Sequence, residues 1–185
     1  LHGTPDNPIC FFAYPPDFKE GKLPIIDGEK RTSSSGGFLF TASSYIHIKG
    51  LTFRNMYQYK EAMGTTYDTP IGLHLNSCSN ITIEECEAYN IQYRGFFFYK
   101  SDSIFVINCD SHNIYDPKSD KPGNHGDGFM AWDNGAVEDT SKAVFFKGCR
   151  AWNCSDDGFD TQIEGLLVFD SCWAWSNGNL EDGNG

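Results

Sequence analysis

Three of the five positions from Asp156 to Asp160 are aspartates, in the run Cys154-Ser155-Asp156-Asp157-Gly158-Phe159-Asp160. Upstream, Asp127-Gly128-Phe129 repeats the triplet Asp157-Gly158-Phe159. Carboxylates crowded together raise one another's pKa unless something neutralises them. Two kinds of chemistry use such a group. A hard cation gathers oxygen ligands, calcium taking six to eight and magnesium a stricter octahedron. Alternatively, a pair of carboxyls, one acid and one base, hydrolyses a glycosidic bond. Asp127, Asp156, Asp157 and Asp160 offer only oxygen, and no His or Cys column joins them. Calcium therefore ranks first and magnesium second. The twelve-residue loop of an EF-hand is absent. Asp-Gly is also a common turn pair, so the same residues can serve as plain turn formers. His125, beside Asp127, reads as a solvent-facing loop histidine, and His2, His47, His74 and His112 form no cluster.

Four carboxylates spread along a chain need a scaffold that stacks them. The cysteines reveal one. Cys86 precedes Cys109 by 23 residues, Cys149 precedes Cys172 by 23, and the gap between the pairs is 40. Their neighbours repeat too. Ile81-Thr82-Ile83-Glu84-Glu85-Cys86-Glu87-Ala88-Tyr89-Asn90 has counterparts ending at Asn113, Asn153 and Ser176, and a cysteine-free copy ending at Asn55. Between these blocks stands a second marker, Gly followed by Phe or Leu, at Gly37, Gly72, Gly95, Gly128 and Gly158. Each repeat thus has at least two short strands joined by sharp turns, with no helical segment. A period near 23 of this kind predicts an all-β fold, a single parallel β-helix of coils of about 23 residues with outward loops. Equivalent residues then stand about 4.8 Å apart on neighbouring coils. Tyr115–Asn124 and Tyr57–Pro70 read as such loops. Cys86, Cys109, Cys149 and Cys172 form an inward ladder of reduced thiols, and Asn90, Asn113 and Asn153 a ladder of turns. In this register Asp127 and Asp157 share a column, Asp156 flanks it, and Asp160 takes the Gly158 side of its strand. Trp152 and Trp175 share another column, suited equally to packing or to sugar stacking.

Composition excludes several classes. The chain has 185 residues with 14 basic and 25 acidic side chains, a net charge of -11. It shows no basic patch for nucleic acid. No apolar window is long enough to span a membrane. At 39% apolar and 15% aromatic it is a folded chain. There are seven cysteines, an odd number, and no CxxC of a zinc site. One domain over residues 1–185 is expected, with both ends reading as cuts through the repeat, and no signal peptide is visible.

The runs Asn124-His125-Gly126-Asp127-Gly128-Phe129, Gly148 to Asp160 and Cys172-Trp173-Ala174-Trp175-Ser176-Asn177-Gly178 resemble polysaccharide lyase family 9. The opening segment Gly3–Gly28 is similar to the first coils of many pectin-degrading β-helices. The resemblance implies a right-handed, pectate lyase-like β-helix in which Asp127, Asp156, Asp157 and Asp160 bind a catalytic Ca2+. It implies β-elimination on a uronic-acid polymer, pectate or polygalacturonate first, by a secreted or periplasmic protein, with a monomer expected. The family's base is a lysine in a motif resembling Gly-Asn-Gly-Phe-Lys. The chain ends at Gly183-Asn184-Gly185, so the catalytic lysine is expected just beyond Gly185. Two other readings stay open: a β-helix glycoside hydrolase acting on pectin-like polysaccharide, and a non-catalytic β-helix that binds calcium or glycan.

Overall fold

The computed structural model describes residues 1–29, 36–58, 69–133 and 142–178. Seventeen strands wind through them as three parallel sheets. The first sheet stacks β1 (Ile9–Phe12), β4 (Ser44–Lys49), β7 (Ser79–Glu84), β10 (Asp102–Ile107), β13 (Ala143–Lys147) and β16 (Leu166–Asp170). The second stacks β2 (Ile25–Asp27), β5 (Thr52–Met56), β8 (Glu87–Ile91), β11 (Asp110–Ile114), β14 (Arg150–Cys154) and β17 (Trp173–Trp175). The third stacks β3 (Phe38–Thr41), β6 (Ile71–Asn76), β9 (Arg94–Tyr99), β12 (Asp127–Trp132) and β15 (Phe159–Gln162). A parallel β-helix is the result, as the repeat requires.

One expectation is sharpened and one needs correction. Each coil has three strands, within the expected minimum of two, because every Cys-centred block contains two. The break falls at Glu85-Cys86, Asn108-Cys109, Gly148-Cys149 and Ser171-Cys172. At each, the first residue takes a left-handed φ, from 51° to 64°, and turns the chain within two residues. A helix is also present, α1 (Pro15–Lys19), only five residues long. Pro15 presets its first φ and Asp17 lies in its first turn.

The core is a set of ladders. Ile46, Ile81, Ile104 and Val144 pair in register down the first sheet, all at 1% exposure or less. Phe96, Phe129 and Phe159 stack down the third, ring centroids 4.9 and 5.0 Å apart. The thiols of Cys86, Cys109 and Cys149 are buried between them, and all seven cysteines are free. Removing a ring such as Phe129 from this column costs about 3–5 kcal/mol.

One corner of the coil decides where the aspartates go. At the junction of the second and third sheets, a Cβ on Gly128 would stand 2.7 Å from the Gly158 carbonyl oxygen and 3.2 Å from Ala151 Cβ. A Cβ on Gly158 would meet Ala151 and Ala174 at 3.1 and 3.2 Å. Only glycine lets the sheets close here. The glycine's open side faces the interior, so Asp160 does not share it, contrary to simple alternation. Phe159 packs against the core, and Asp160 consequently turns outward.

Candidate metal centre

The turn between β14 and β15 carries Asp156 and Asp157 and is held from both neighbouring coils. From the preceding coil, Ile114 O accepts from the Ser155 backbone N–H at 2.9 Å, and Gly123 O accepts from its hydroxyl at 2.7 Å. From the following coil, the Gly178 N–H donates to the Asp156 carbonyl at 2.9 Å and to that of Cys154 at 3.0 Å. Asn177 Oδ1 accepts from the Cys154 N–H at 3.0 Å, while its amide donates to Ala151 O at 3.2 Å. The acidic turn is thus fixed by neutral groups, without a cationic side chain.

Asp127 begins β12 one coil earlier, and the Gly128 N–H donates to the Asp157 carbonyl at 2.9 Å. The register read from the two Asp-Gly-Phe triplets is the register observed. Asp127, Asp156 and Asp157 each offer an oxygen within 4.8 Å of the others. Asp160 lines the same cleft, of about 490 Å³, but stands outside that tight group; its oxygens lie 3.4 Å from Gln162 Nε2.

Asp127 is 1% exposed and ion-paired, its Oδ2 accepting from Arg94 Nε at 3.0 Å. The Arg94 guanidinium lies over the rings of Tyr93 and Phe97, at 4.2 and 4.8 Å. Asp127 Oδ1 is buried with no hydrogen-bond partner. Burial pushes the Asp127 pKa up to about 6, against the opposing pull of Arg94 and with the help of Asp160. Burial, then the charges of Asp127, Asp157, Asp160 and Asp116, lift Asp156 to about 7. Asp157 is raised by burial and by Asp160. A metal-free cluster therefore holds protons near neutrality. A hard cation removes that need, and ligand bonds of 2.3–2.6 Å suit oxygens this far apart. The orphaned Oδ1 and the all-oxygen donor set both fit such an ion.

Two participants escaped the sequence. Arg94 sits in an apolar strand far from Asp127 along the chain, and only the register joins them. His125 is not simply solvent-facing: its Nδ1 lies 3.0 Å from Oδ2 of the fully buried Asp116, and its ring lies 5.8 Å from that of Tyr93. Both residues of that pair come from the loop between β11 and β12, so composition alone gave no signal. Gly183, Asn184 and Gly185, on which the expected neighbouring lysine turned, lie outside the described residues, as does most of Tyr57–Pro70. The tryptophans separate clearly. Trp152 stacks on His112 at 4.2 Å and on Trp175 at 4.9 Å, nearly parallel, so their faces cover each other. Trp132 lines the acidic cleft instead.

The whole chain, residues 1–185, matches the family described as "Pel9A-like, right handed beta helix region". It is 32% identical over 149 residues to pectate lyase L of Dickeya chrysanthemi, covering 78% of this chain and 30% of that protein. Against pectate lyase L of Thermoclostridium stercorarium it is 28% identical over 198 residues, spanning 98% of this chain but 14% of the relative. Among solved structures, it superposes on pectate lyase Pel9A with a TM-score of 0.70 at 24% identity, over 98% of this chain and 40% of that one. A rhamnogalacturonan lyase gives 0.74 at 25% identity, over 96% and 43%.

Proposed function

This chain belongs to the Pel9A-like family of right-handed β-helices, and from that premise we propose a calcium-dependent polysaccharide lyase that cleaves a uronic-acid polymer, pectate first, by β-elimination. The observation that carries the reading is the triad of carboxylates that bring oxygens within 4.8 Å of one another, together with the buried, unpartnered Oδ1 of Asp127. Asp127, Asp156 and Asp157 would hold the ion, with Asp160 as the fourth carboxylate at the cleft wall. When bound, calcium draws charge from the substrate carboxylate and acidifies the C5 proton next to it. Arg94 opposes the upward push that burial gives the Asp127 pKa and fixes one of its oxygens, leaving the other for the ion. The backbone clamp on the turn presets the positions of Asp156 and Asp157, so little ordering is needed on binding. Net charge -11 makes an acidic polymer an unfavourable partner without a bridging cation. The reading extends to an acidic polysaccharide as partner, to a place outside the cytoplasm and to a monomer. No helix among the described residues is long and apolar enough to cross a membrane.

Three carboxylates with oxygens within 4.8 Å of one another favour a shared ion over the two-carboxyl pair of a hydrolase, which flanks the scissile bond at about 5–9.5 Å. The test is direct. The lysine expected just beyond Gly185 would take the C5 proton, so the test uses the protein extended to include it: polygalacturonate with calcium should give a product carrying the ultraviolet absorbance of a new double bond, and chelator should abolish it. Cleavage that persists in chelator without that absorbance would establish the hydrolase instead.

A further inference from the structure

The outward face of the third sheet continues past the acidic cleft. Arg94 opens β9 as Asp127 opens β12, and the two pair in register on neighbouring coils, about 4.8 Å apart. One coil further back, His74 on β6 pairs with Phe97 and stacks on its ring at 4.9 Å. A second hollow of about 450 Å³ opens here, with His74, Arg94, Phe97 and Trp132 in its lining. Tyr93, Arg94 and Trp132 also line the acidic cleft. The two hollows therefore adjoin along the helix axis, and one bound polymer can run from one to the other.

Two polar groups in this hollow have bonds to give. His74 Nε2 is buried with no hydrogen-bond partner, and such an orphan in a folded protein marks a place for a ligand atom or water. Burial, then the nearby Arg94, hold the His74 pKa down at about 4. The ring is therefore neutral near pH 7 and suits a hydroxyl better than a charge. Arg94 supplies the charge. Its Nε donates to Asp127 Oδ2 at 3.0 Å, and its guanidinium lies over the rings of Tyr93 and Phe97 at 4.2 and 4.8 Å. The ion pair and the two rings hold the guanidinium plane in one orientation. The remaining donors are the N–H groups on its two Nη atoms, spaced to take both oxygens of a carboxylate.

We infer that this hollow is a second uronate subsite, where the Nη edge of Arg94 binds the carboxylate and His74 Nε2 bonds a hydroxyl of the unit next to the one at the acidic cleft. The inference rests on the lyase reading for the identity of the polymer. The experiment measures, by calorimetry in calcium, the binding of tetragalacturonate to the full chain as parent, His74→Phe and Arg94→Lys. His74→Phe keeps a ring on Phe97 and removes only the nitrogens, so at least fivefold weaker binding is expected with calcium affinity unchanged. Arg94→Lys keeps a cation for Asp127 and loses the planar fork, so at least tenfold weaker binding is expected. Parent-like binding by either folded variant, or no binding by the parent, overturns the inference. So does a loss of tetragalacturonate affinity no larger than the same variant's loss of calcium affinity, since that makes the residue a support for the ion alone. Arg94→Lys decides by itself should His74→Phe fail to fold. The lyase reading has a separate readout, double-bond formation by the extended protein. Its absence beside the expected binding losses removes the lyase reading and leaves the subsite; its presence beside parent-like variants does the reverse.

Discussion

Two columns of this molecule are built alike and behave in opposite ways. Asn55, Asn90, Asn113 and Asn153 sit at one corner of successive coils, each with a φ between 52° and 57°. Stacked amides satisfy one another: Asn90 Nδ2 donates to Asn55 Oδ1 at 3.5 Å, and Asn153 donates to Asn113. A few residues further along the same passage from the second sheet to the third, Asp127 and Asp157 occupy the same kind of stacked positions with Asp156 alongside. Carboxylates have no donor to give one another, and their charges add. Coil stacking thus stabilises a ladder of amides and leaves a ladder of acids in need of a cation. A column that completes its own hydrogen bonds is structural; one that cannot is where a ligand belongs.

The largest expected break in that contrast is Asp127→Ala. It leaves the buried Arg94 guanidinium without its anion, which should cost about 3–5 kcal/mol of unfolding free energy by denaturant titration. Asp127→Asn keeps an oxygen for Arg94 and should cost less, while both variants should lose the rise in melting temperature that calcium is expected to give the parent. A loss well below 1 kcal/mol in Asp127→Ala would mean that the pair is not the closed, buried contact described here.

The second effect is on pH. Burial raises the folded-state pKa of Asp127 to about 6 and of Asp156 to about 7, above the unfolded value of 3.8. The folded protein therefore holds these protons more tightly than the unfolded chain. Metal-free stability should fall as pH rises from about 4 through about 7. Calcium in excess takes the place of the protons, so the slope should flatten or reverse. Melting curves at pH 5 and pH 8, with calcium and with chelator, check this. A metal-free protein more stable at pH 8 would contradict the crowding of these groups.

The amide ladder and the register of the acids were legible in the sequence because both depend on like residues recurring at one rung. The Asp-Gly-Phe triplets aligned correctly, since glycine is required where Ala151 and Ala174 close the corner. The third strand was hidden because its turn uses Glu85, Asn108 and Ser171 in left-handed conformations without glycine or proline. Only Gly50 and Gly148 mark that corner in the expected way. Arg94 was hidden for another reason. Its partner lies 33 residues away, and nothing local in Tyr93-Arg94-Gly95-Phe96 distinguishes a buried ion pair from an exposed strand end. Long-range electrostatics become readable only after the coils are stacked.

The smallest effect tests the structural column. Asn153→Ala removes the side-chain bond to Asn113 and places a Cβ-bearing residue without a local hydrogen bond at φ 55°. The lost bond contributes about 0.5–1.5 kcal/mol, and left-handed alanine adds about 1–2 kcal/mol of strain. Solvent exposure at Asn153 lets water replace the amide, which holds the total toward the lower end, about 1.5–2 kcal/mol. The calcium-induced rise in melting temperature should be the same as in the parent, because no carboxylate has moved. If Asn153→Ala weakened the calcium response as much as Asp157→Ala, the two columns would be mechanically coupled through the end of β14 and the turn after it. The clamp that Ser155, Asn177 and Gly178 place on that turn argues against this, since its hydrogen bonds join the turn to neighbouring coils and bypass the Asn153 side chain.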